Sequence, residues 1–257
     1  MTAMRLPAVP VERVWGRHDL PAGFPRLGAD VPVGEIWFEP PAGAALLVKY
    51  LFTAERLSIQ VHPDDEAARS RGFPRGKDEA WFILDAEPDA RIGLGLTREV
   101  SRETLREAAL DGSIVALLDW RPVTPGEILY SPAGTIHAIG GGISLIEIQQ
   151  NLDLTYRLHD YGRPRELHLD EGVAVAKPGP WAPPPLPPGS NIVAGGRAFR
   201  VERWTRGGRL HGPAEVIPLL AAGTIDGAPF ATGAAWHVAG EAEILGEGID
   251  LLVAIPA

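Results

Sequence analysis

Four residues of this chain belong to types that bind divalent metal ions: Gln60, His62, Glu79 and His137. Imidazole nitrogens and carboxylate oxygens are ordinary zinc ligands. An amide oxygen can complete such a set and still leave a position for water or substrate. Gln60 and His62 lie in Leu57-Ser58-Ile59-Gln60-Val61-His62-Pro63-Asp64-Asp65, which starts with the apolar–polar alternation of a half-buried strand. Residues two apart on a strand share a face, which places the Gln60 amide beside the His62 ring. The same rule puts Lys77 beside Glu79 in Gly76-Lys77-Asp78-Glu79-Ala80-Trp81. His137, in a Gly-rich turn region, has to arrive from elsewhere in the fold to close the site.

A second constellation runs from Glu147 to Arg157. Glu147 and Gln149 share one strand face, and Ile146 and Ile148 take the other. Arg157 joins the polar face if the strand continues, although Asn151 and Asp153 are suited to a turn. A carboxylate and a guanidinium facing one cavity suit proton abstraction beside a stabilised oxyanion or phosphate. A plain polar face with an ion pair accounts for the same pattern.

The elements that must position these residues are mostly strands. Short β-branched runs, 30 Gly and 25 Pro favour an all-β fold rich in turns. Strands are expected at 11–15, 34–38, 46–52, 57–62, from Ala80, at 128–130, through His137, and at 143–149. Lys49 interrupts the apolar run 46–52, and its expected state is a packed stem with the ammonium in water. Trp15 and Trp37 read as core or rim aromatics. Asp64 can cap a short helix reaching about Arg71, so Asp64, Asp65 and Glu66 need no catalytic explanation. Helices are also expected within 97–120, with Thr97 or Ser101 as cap, Asp111-Gly112 as a stop and Ser113 as a restart. Residues 1–10 look like a mobile lead-in. Seven prolines within 178–189 mark an extended linker. The chain therefore divides into 1–177 as the catalytic part, the linker 178–189, and a smaller β-rich part, 190–257, packing on the first. Within that last part, strands are expected near 198–204, 215–220, 228–238 and 249–255.

Bulk composition narrows the function classes. At 257 residues, 45% hydrophobic and 22% charged, the chain has the make-up of a soluble globular protein with a full core. A net charge of −9 argues against general nucleic-acid binding, and no run is long enough to span a bilayer. The absence of cysteine excludes disulfides and thiolate metal sites. With no basic-then-apolar leader pattern, the cytoplasm is the expected compartment.

At this point four separated motifs resemble those of one family. Leu57 to Asp65, Gly76 to Trp81, Ser131-Pro132-Ala133-Gly134-Thr135-Ile136-His137-Ala138, and Glu147-Ile148-Gln149-Gln150-Asn151 through Arg157 resemble the signatures of type I phosphomannose isomerases. Val14-Trp15-Gly16 and Gly34-Glu35-Ile36-Trp37 look like that family's opening motifs. The resemblance spans about residues 11–170 in order and is closest to the short bacterial form, which lacks a helical insertion.

The resemblance implies a mainly β, cupin-type jelly-roll barrel with a few short helices and a smaller C-terminal β segment. It implies one Zn2+ per chain, held by Gln60, His62, Glu79 and His137. The implied reaction interconverts mannose 6-phosphate and fructose 6-phosphate through an enediol. Lys77, Glu147 and Arg157 are the implied catalytic residues, and Lys77, Arg157 and Asp153 the implied substrate contacts. Glu147 is the first choice for the base, with a metal-bound water or a histidine as alternatives. Which of Lys77 and Arg157 meets the enediolate and which the phosphate is open. The expected partner is a small sugar phosphate, with neither nucleic acid nor membrane. His18, His159, His168, His211 and His237 read as structural or surface residues, while Asp160 and Arg163 are weak candidates for touching substrate. The chain departs from the pattern at Phe38-Glu39-Pro40 and in its compact C-terminal part. Isomerisation of another sugar phosphate, or sugar binding without catalysis, are the rival readings.

Overall fold

Burial on both faces explains the most apolar strands. All residues of Leu46–Thr53 and all residues of Ile143–Gln150 are buried in the computed structural model, which describes residues 2–257 except Ala29, Ala221 and Ala222. These two strands pair in the middle of a six-stranded antiparallel sheet. Its order is Ala8–Arg17, Val33–Phe38, Leu46–Thr53, Ile143–Gln150, Glu79–Ala86 and Ile128–Ser131. A strand in a middle layer has no solvated face, so a near-continuous apolar run is what its sequence must show.

One face of this central sheet carries Val48, Tyr50, Phe52, Ile146 and Ile148. They pack against Val201, Ile217, Leu252 and Ala254 of a second six-stranded sheet. That sheet is ordered Ala3–Arg5, Trp236–Val238, Ala214–Leu220, Asp250–Pro256, Phe199–Trp204 and Ile192–Gly195. Its far face is covered by a four-stranded sheet through Leu210, Ile225 and Ile244. The other face of the central sheet meets a five-stranded sheet ordered Tyr156–His159, Ile59–Val61, His137–Ile139, Arg91–Leu96 and Leu118–Pro122. Trp81, Ile83, Leu145, Ile92 and Leu94 fill part of the space between them. Three helices, Arg102–Asp111, Ile114–Leu117 and Leu169–Val175, cover the outer face of the five-stranded sheet. Each fully buried aliphatic or aromatic side chain in these layers contributes about 1.5–3 kcal/mol.

The mainly β class is therefore as expected, but the strands do not close into a barrel. The central and five-stranded sheets face each other as separate hydrogen-bonded ladders. Several elements follow the sequence closely. Asp64 caps the helix Asp65–Arg69 by accepting from the Ala67 amide, and Ser101 caps Arg102–Asp111. Gly112 ends that helix with φ of 83°, a conformation that favours glycine.

Three expectations are corrected. Residues 2–10 are no loose lead-in, Met1 lying outside the described residues: Ala3–Arg5 pairs with Trp236–Val238, and Ala8 already belongs to the strand Ala8–Arg17. The helical region expected within 97–120 ends early: Leu118 starts a strand, because it pairs with Leu96 at the edge of the five-stranded sheet. The strand from Ile143 ends at Gln150, and Arg157 lies on a different strand in the facing sheet. The proline-rich stretch is extended as expected, but its beginning is pinned. Gly95 bridges Pro180, and the Trp181 indole donates to the Tyr130 carbonyl at 3.0 Å. No helix among the described residues is long and apolar enough to cross a membrane.

Candidate metal centre and cavity

Strand register brings the candidate ligands together from two sheets. In the five-stranded sheet His137 stands opposite Gln60, and Gln60 stands opposite Arg157. In the central sheet Glu147 lies between Lys49 and Trp81, and Gln149 stands opposite Glu79. Because directly opposed residues share a face, Lys49, Glu147, Trp81 and Glu79 present one polar surface toward the row Arg157, Gln60 and His137. Of these residues Lys49, Glu147, Gln60 and Arg157 line a cavity of about 370 Å³, while Trp81, Glu79 and His137 lie behind its lining.

Next to the cavity-lining residues Gln60 and Lys77, ligand atoms of His62, Glu79 and His137 all lie within 4.8 Å of one another, and all three residues are buried. His62 Nδ1 lies 2.8 Å from the Leu154 carbonyl and His137 Nδ1 lies 2.9 Å from the Thr135 carbonyl. A carbonyl only accepts, so both rings carry a proton on Nδ1. Burial pushes the His62 imidazole down to about 4, with Lys77 adding to the effect, and burial also lowers His137. Both rings are then neutral near pH 7, with bare Nε2 lone pairs. Those Nε2 atoms stand 3.2 Å and 3.4 Å from the two Glu79 oxygens. These distances would suit ion pairs, but a bare nitrogen and a carboxylate oxygen cannot hydrogen-bond. Accordingly His62 Nε2 and both Glu79 oxygens are buried without a hydrogen-bond partner.

Converging acceptors met only at the edge, by the Lys77 ammonium beside Glu79 and the Gln60 amide beside His137, are costly to bury, and a cation between them removes the cost. The Leu154 and Thr135 carbonyls also fix the tautomer that leaves Nε2 free for a metal. The residues present therefore fit a divalent ion. Gln60 adjoins the cluster with its amide nitrogen 3.3 Å from His137 Nε2, while its oxygen accepts from Ser58 at 3.3 Å. Exchanging the two ends of the amide would turn its oxygen inward.

Lys77 Nζ lies 3.1 Å from Glu79 Oε1. Burial opposes charge on both groups. For Lys77 the nearby Glu79 and Glu147 outweigh burial and raise it, and for Glu79 Lys77 and the imidazoles hold it well below the usual carboxylate range. Glu147 behaves differently. Burial and the charge of Glu79 push its carboxyl up to about 7, against the pull of Lys49 and Lys77. Its Oε1 accepts from the Trp81 indole at 3.2 Å, and its Oε2 lies 3.5 Å from Lys49 Nζ.

Lys49 corrects the sequence expectation. It is buried rather than solvated, with its ammonium 4.3 Å from the centre of the Trp37 ring. Trp37 in turn donates to Glu35 at 2.5 Å, and Glu35 also accepts from Arg13 at 2.9 Å. Arg13, Glu35, Lys49 and Arg165 all line the cavity and were not among the expected site residues. The signal for Lys49 was its place in a strand with no other polar residue before Thr53. Glu35 and Trp37 signal themselves as a same-face pair. Arg165 carries no local pattern, since Asp160 holds it from a loop at 2.6 and 2.7 Å.

Of the remaining expected residues, Gln60, Lys77, Glu147, Asp153 and Arg157 line the cavity. Arg157 Nη1 donates to the Glu166 carbonyl at 2.7 Å, and burial together with the charge of Arg165 lowers its pKa. Asp160 is buried and pairs with Arg163 and Arg165, so it acts on the cavity through Arg165. Phe38 packs into the core on the opposite face of the central sheet, and neither Glu39 nor Pro40 lines the cavity. Every lining residue falls between Glu12 and Arg165.

Comparison with known proteins bears out the resemblance carried by the motifs. The chain is 43% identical over 137 residues to the mannose-6-phosphate isomerase ManA of Bacillus subtilis (strain 168), a stretch covering 51% of this chain and 43% of that relative. The chain spans about half the length, or less, of the curated relatives it matches. Its fold is shared with the crystal structure of the mannose 6-phosphate isomerase from Bacillus subtilis, at a TM-score of 0.81 and 24% identity over 99% of each chain. A zinc-bound mannose 6-phosphate isomerase superposes at a TM-score of 0.69 and 15% identity over 100% of each chain. No family model matches the chain.

Proposed function

We propose that this chain is a zinc-dependent aldose–ketose isomerase that interconverts mannose 6-phosphate and fructose 6-phosphate. One observation carries the reading. Two neutral imidazoles and a carboxylate converge with no proton between His62 Nε2 and Glu79, one same-face step from a buried carboxylate whose pKa is raised to about 7. His62, Glu79 and His137 would hold the ion, with Gln60 as the fourth ligand. Bound there, zinc supplies Lewis-acid polarisation of the sugar oxygens.

The chain's own residues account for the rest of the chemistry. Isomerisation removes a proton from C2 of the aldose and returns it to C1, with negative charge held on the enediolate oxygens in between. Glu147 is the base: its carboxylate is poised near neutrality, where a general base works best. The Trp81 indole and the Lys49 ammonium hold its two oxygens and fix where it points. Lys77 supplies positive charge beside the developing oxyanion. Arg157 reaches the same cavity and offers a guanidinium to the phosphate, with Arg165 beside it. Asp153 is an acceptor for a sugar hydroxyl. The cavity volume of about 370 Å³ falls within the roughly 300–1,000 Å³ usual for small-molecule sites.

The division into a catalytic part, 1–177, and a C-terminal part, 190–257, joined by 178–189, belongs to the proposal. Its support is that all cavity-lining residues precede position 166. The cytoplasm is the proposed compartment, since phosphorylated sugars are charged and do not cross bilayers unaided. The test is to assay the zinc-loaded protein on mannose 6-phosphate beside other hexose phosphates. Mannose 6-phosphate should be converted fastest. Faster turnover of a different phosphosugar would reassign the substrate, and no turnover of any would leave a binding protein.

A further inference from the structure

Behind the metal ligands, on the face of the central sheet turned away from the cavity, lies a buried polar network that the proposed chemistry does not use. Asp78 sits between Lys77 and Glu79 and points opposite to both. One of its oxygens accepts the Ala133 amide at 2.8 Å, and the other accepts the Tyr130 hydroxyl at 2.7 Å. Ala133 belongs to the turn that leads into His137. The Asp78 amide donates to the Gln150 side-chain oxygen at 2.9 Å, and the Gln150 amide nitrogen donates to Asp65 at 3.0 Å. Asp65 opens the helix that follows His62, and it also accepts the Gly76 amide at 2.8 Å.

We propose that Asp78, through Tyr130, Ala133, Gln150 and Asp65, is the positioning residue that sets the spacing of the metal centre. The network joins the segment carrying His62, the segment carrying Glu79 and the turn carrying His137. Each ligand comes from a different strand or strand end, so no single element fixes their mutual distances. Backbone bonds make some of the connection: the Gly134 amide donates to the His62 carbonyl at 2.9 Å, and the Lys77 amide to the Pro63 carbonyl at 3.0 Å. Asp78 adds the side-chain brace that ties the His137 turn directly to the residue beside Glu79. Such braces hold donor atoms at bonding distance before the ion arrives, and their loss weakens metal binding about 10–100-fold.

The inference rests on the metal reading above, and the experiment separates the two. Zinc dissociation constants are measured by competition with a chromophoric chelator for the wild-type chain and for Asp78→Ala, Tyr130→Phe and Gln150→Met, with melting of each zinc-free protein in parallel. Asp78→Ala should bind zinc about 10–100-fold more weakly. Tyr130→Phe keeps the ring in the core and removes a single donor, so it should fold normally and weaken binding several-fold. If Asp78→Ala does not fold, Tyr130→Phe and Gln150→Met decide the matter. Wild-type affinity in the folded variants, whatever their melting temperatures, overturns the inference. A wild-type chain that binds no zinc removes the metal reading and this inference with it.

Discussion

The Nε2 atom of His62 stands 3.2 Å from Glu79 Oε1 with no proton to share, because the ring's proton is engaged by the Leu154 carbonyl. Among the described residues that nitrogen has no hydrogen-bond partner, and the cation nearest the Glu79 carboxylate is the Lys77 ammonium, 3.1 Å from Oε1. This arrangement is unfavourable for the chain alone and favourable around a cation, so the fold stores a demand for metal. The predictions below follow from it and from the buried groups around it.

Zinc should stabilise the protein measurably. At a free concentration about 100 times the dissociation constant, binding contributes about 2.7 kcal/mol. For a chain of this length that raises the melting temperature by about 5–10 °C. Calorimetry before and after chelation checks it, and His62→Ala should melt at the same temperature with and without zinc.

Glu147→Gln should lower the isomerisation rate by about 10²–10⁴-fold while leaving zinc content unchanged. The working form of Glu147 is the carboxylate. Its raised pKa, about 7, means that activity is present above that value and is lost as pH falls through it. A bound cation favours the carboxylate and moves this limb to lower pH, so the pH profile of kcat/KM should show an acidic limb at or below about 7.

Lys49→Met should move the same limb toward higher pH. Lys49 is the nearest cation to Glu147 Oε2, at 3.5 Å, and both side chains are buried. Removing one partner of such a pair leaves the other charge uncompensated, at a stability loss of about 3–5 kcal/mol. Urea unfolding at pH 8 measures that loss, and the pH–rate profile measures the shift.

Gly76→Ala should disturb the site through the backbone. A Cβ at Gly76 would lie 2.5 Å from the Asp64 carbonyl carbon and 2.6 Å from the Asp65 nitrogen, in the turn just after His62. Overpacking of this kind costs about 1–3 kcal/mol. Gly72→Ala makes a useful contrast: its φ of 84° is strained for alanine, but no atom lies within 4 Å of the added Cβ. Both variants should melt lower, and only Gly76→Ala should also bind zinc more weakly.

Three of the candidate metal ligands are legible in the sequence because their motifs are local: Gln60 and His62 lie on one short stretch, and Glu79 lies beside Lys77 on another. Glu147 is legible for the same reason, as the one carboxylate of its strand, set between Ile146 and Ile148. Lys49 is misread because its burial depends on two partners, Glu147 and Trp37, that come from neighbouring strands and not from its own. For Arg157 the sequence leaves a continued strand and a turn at Asn151 and Asp153 open, and the turn holds: Arg157 enters the cavity from the sheet opposite Glu147. Ala3–Arg5 shows no strand signal of its own length and is ordered by pairing with residues more than 230 positions away. The open, layered sheets in place of a closed barrel reflect hydrogen-bonding partners that alternation alone does not specify.

His62, Glu79 and His137 are proposed to form a zinc centre that meets the cavity through Gln60 and Lys77. Anomalous diffraction at the zinc edge from crystals of the zinc-loaded protein tests it most directly. The account predicts a single strong peak bounded by the Nε2 atoms of both histidines and the Glu79 carboxylate, with the Gln60 oxygen turned toward it. A cavity without a peak, with His62 and Glu79 still in contact, would contradict it.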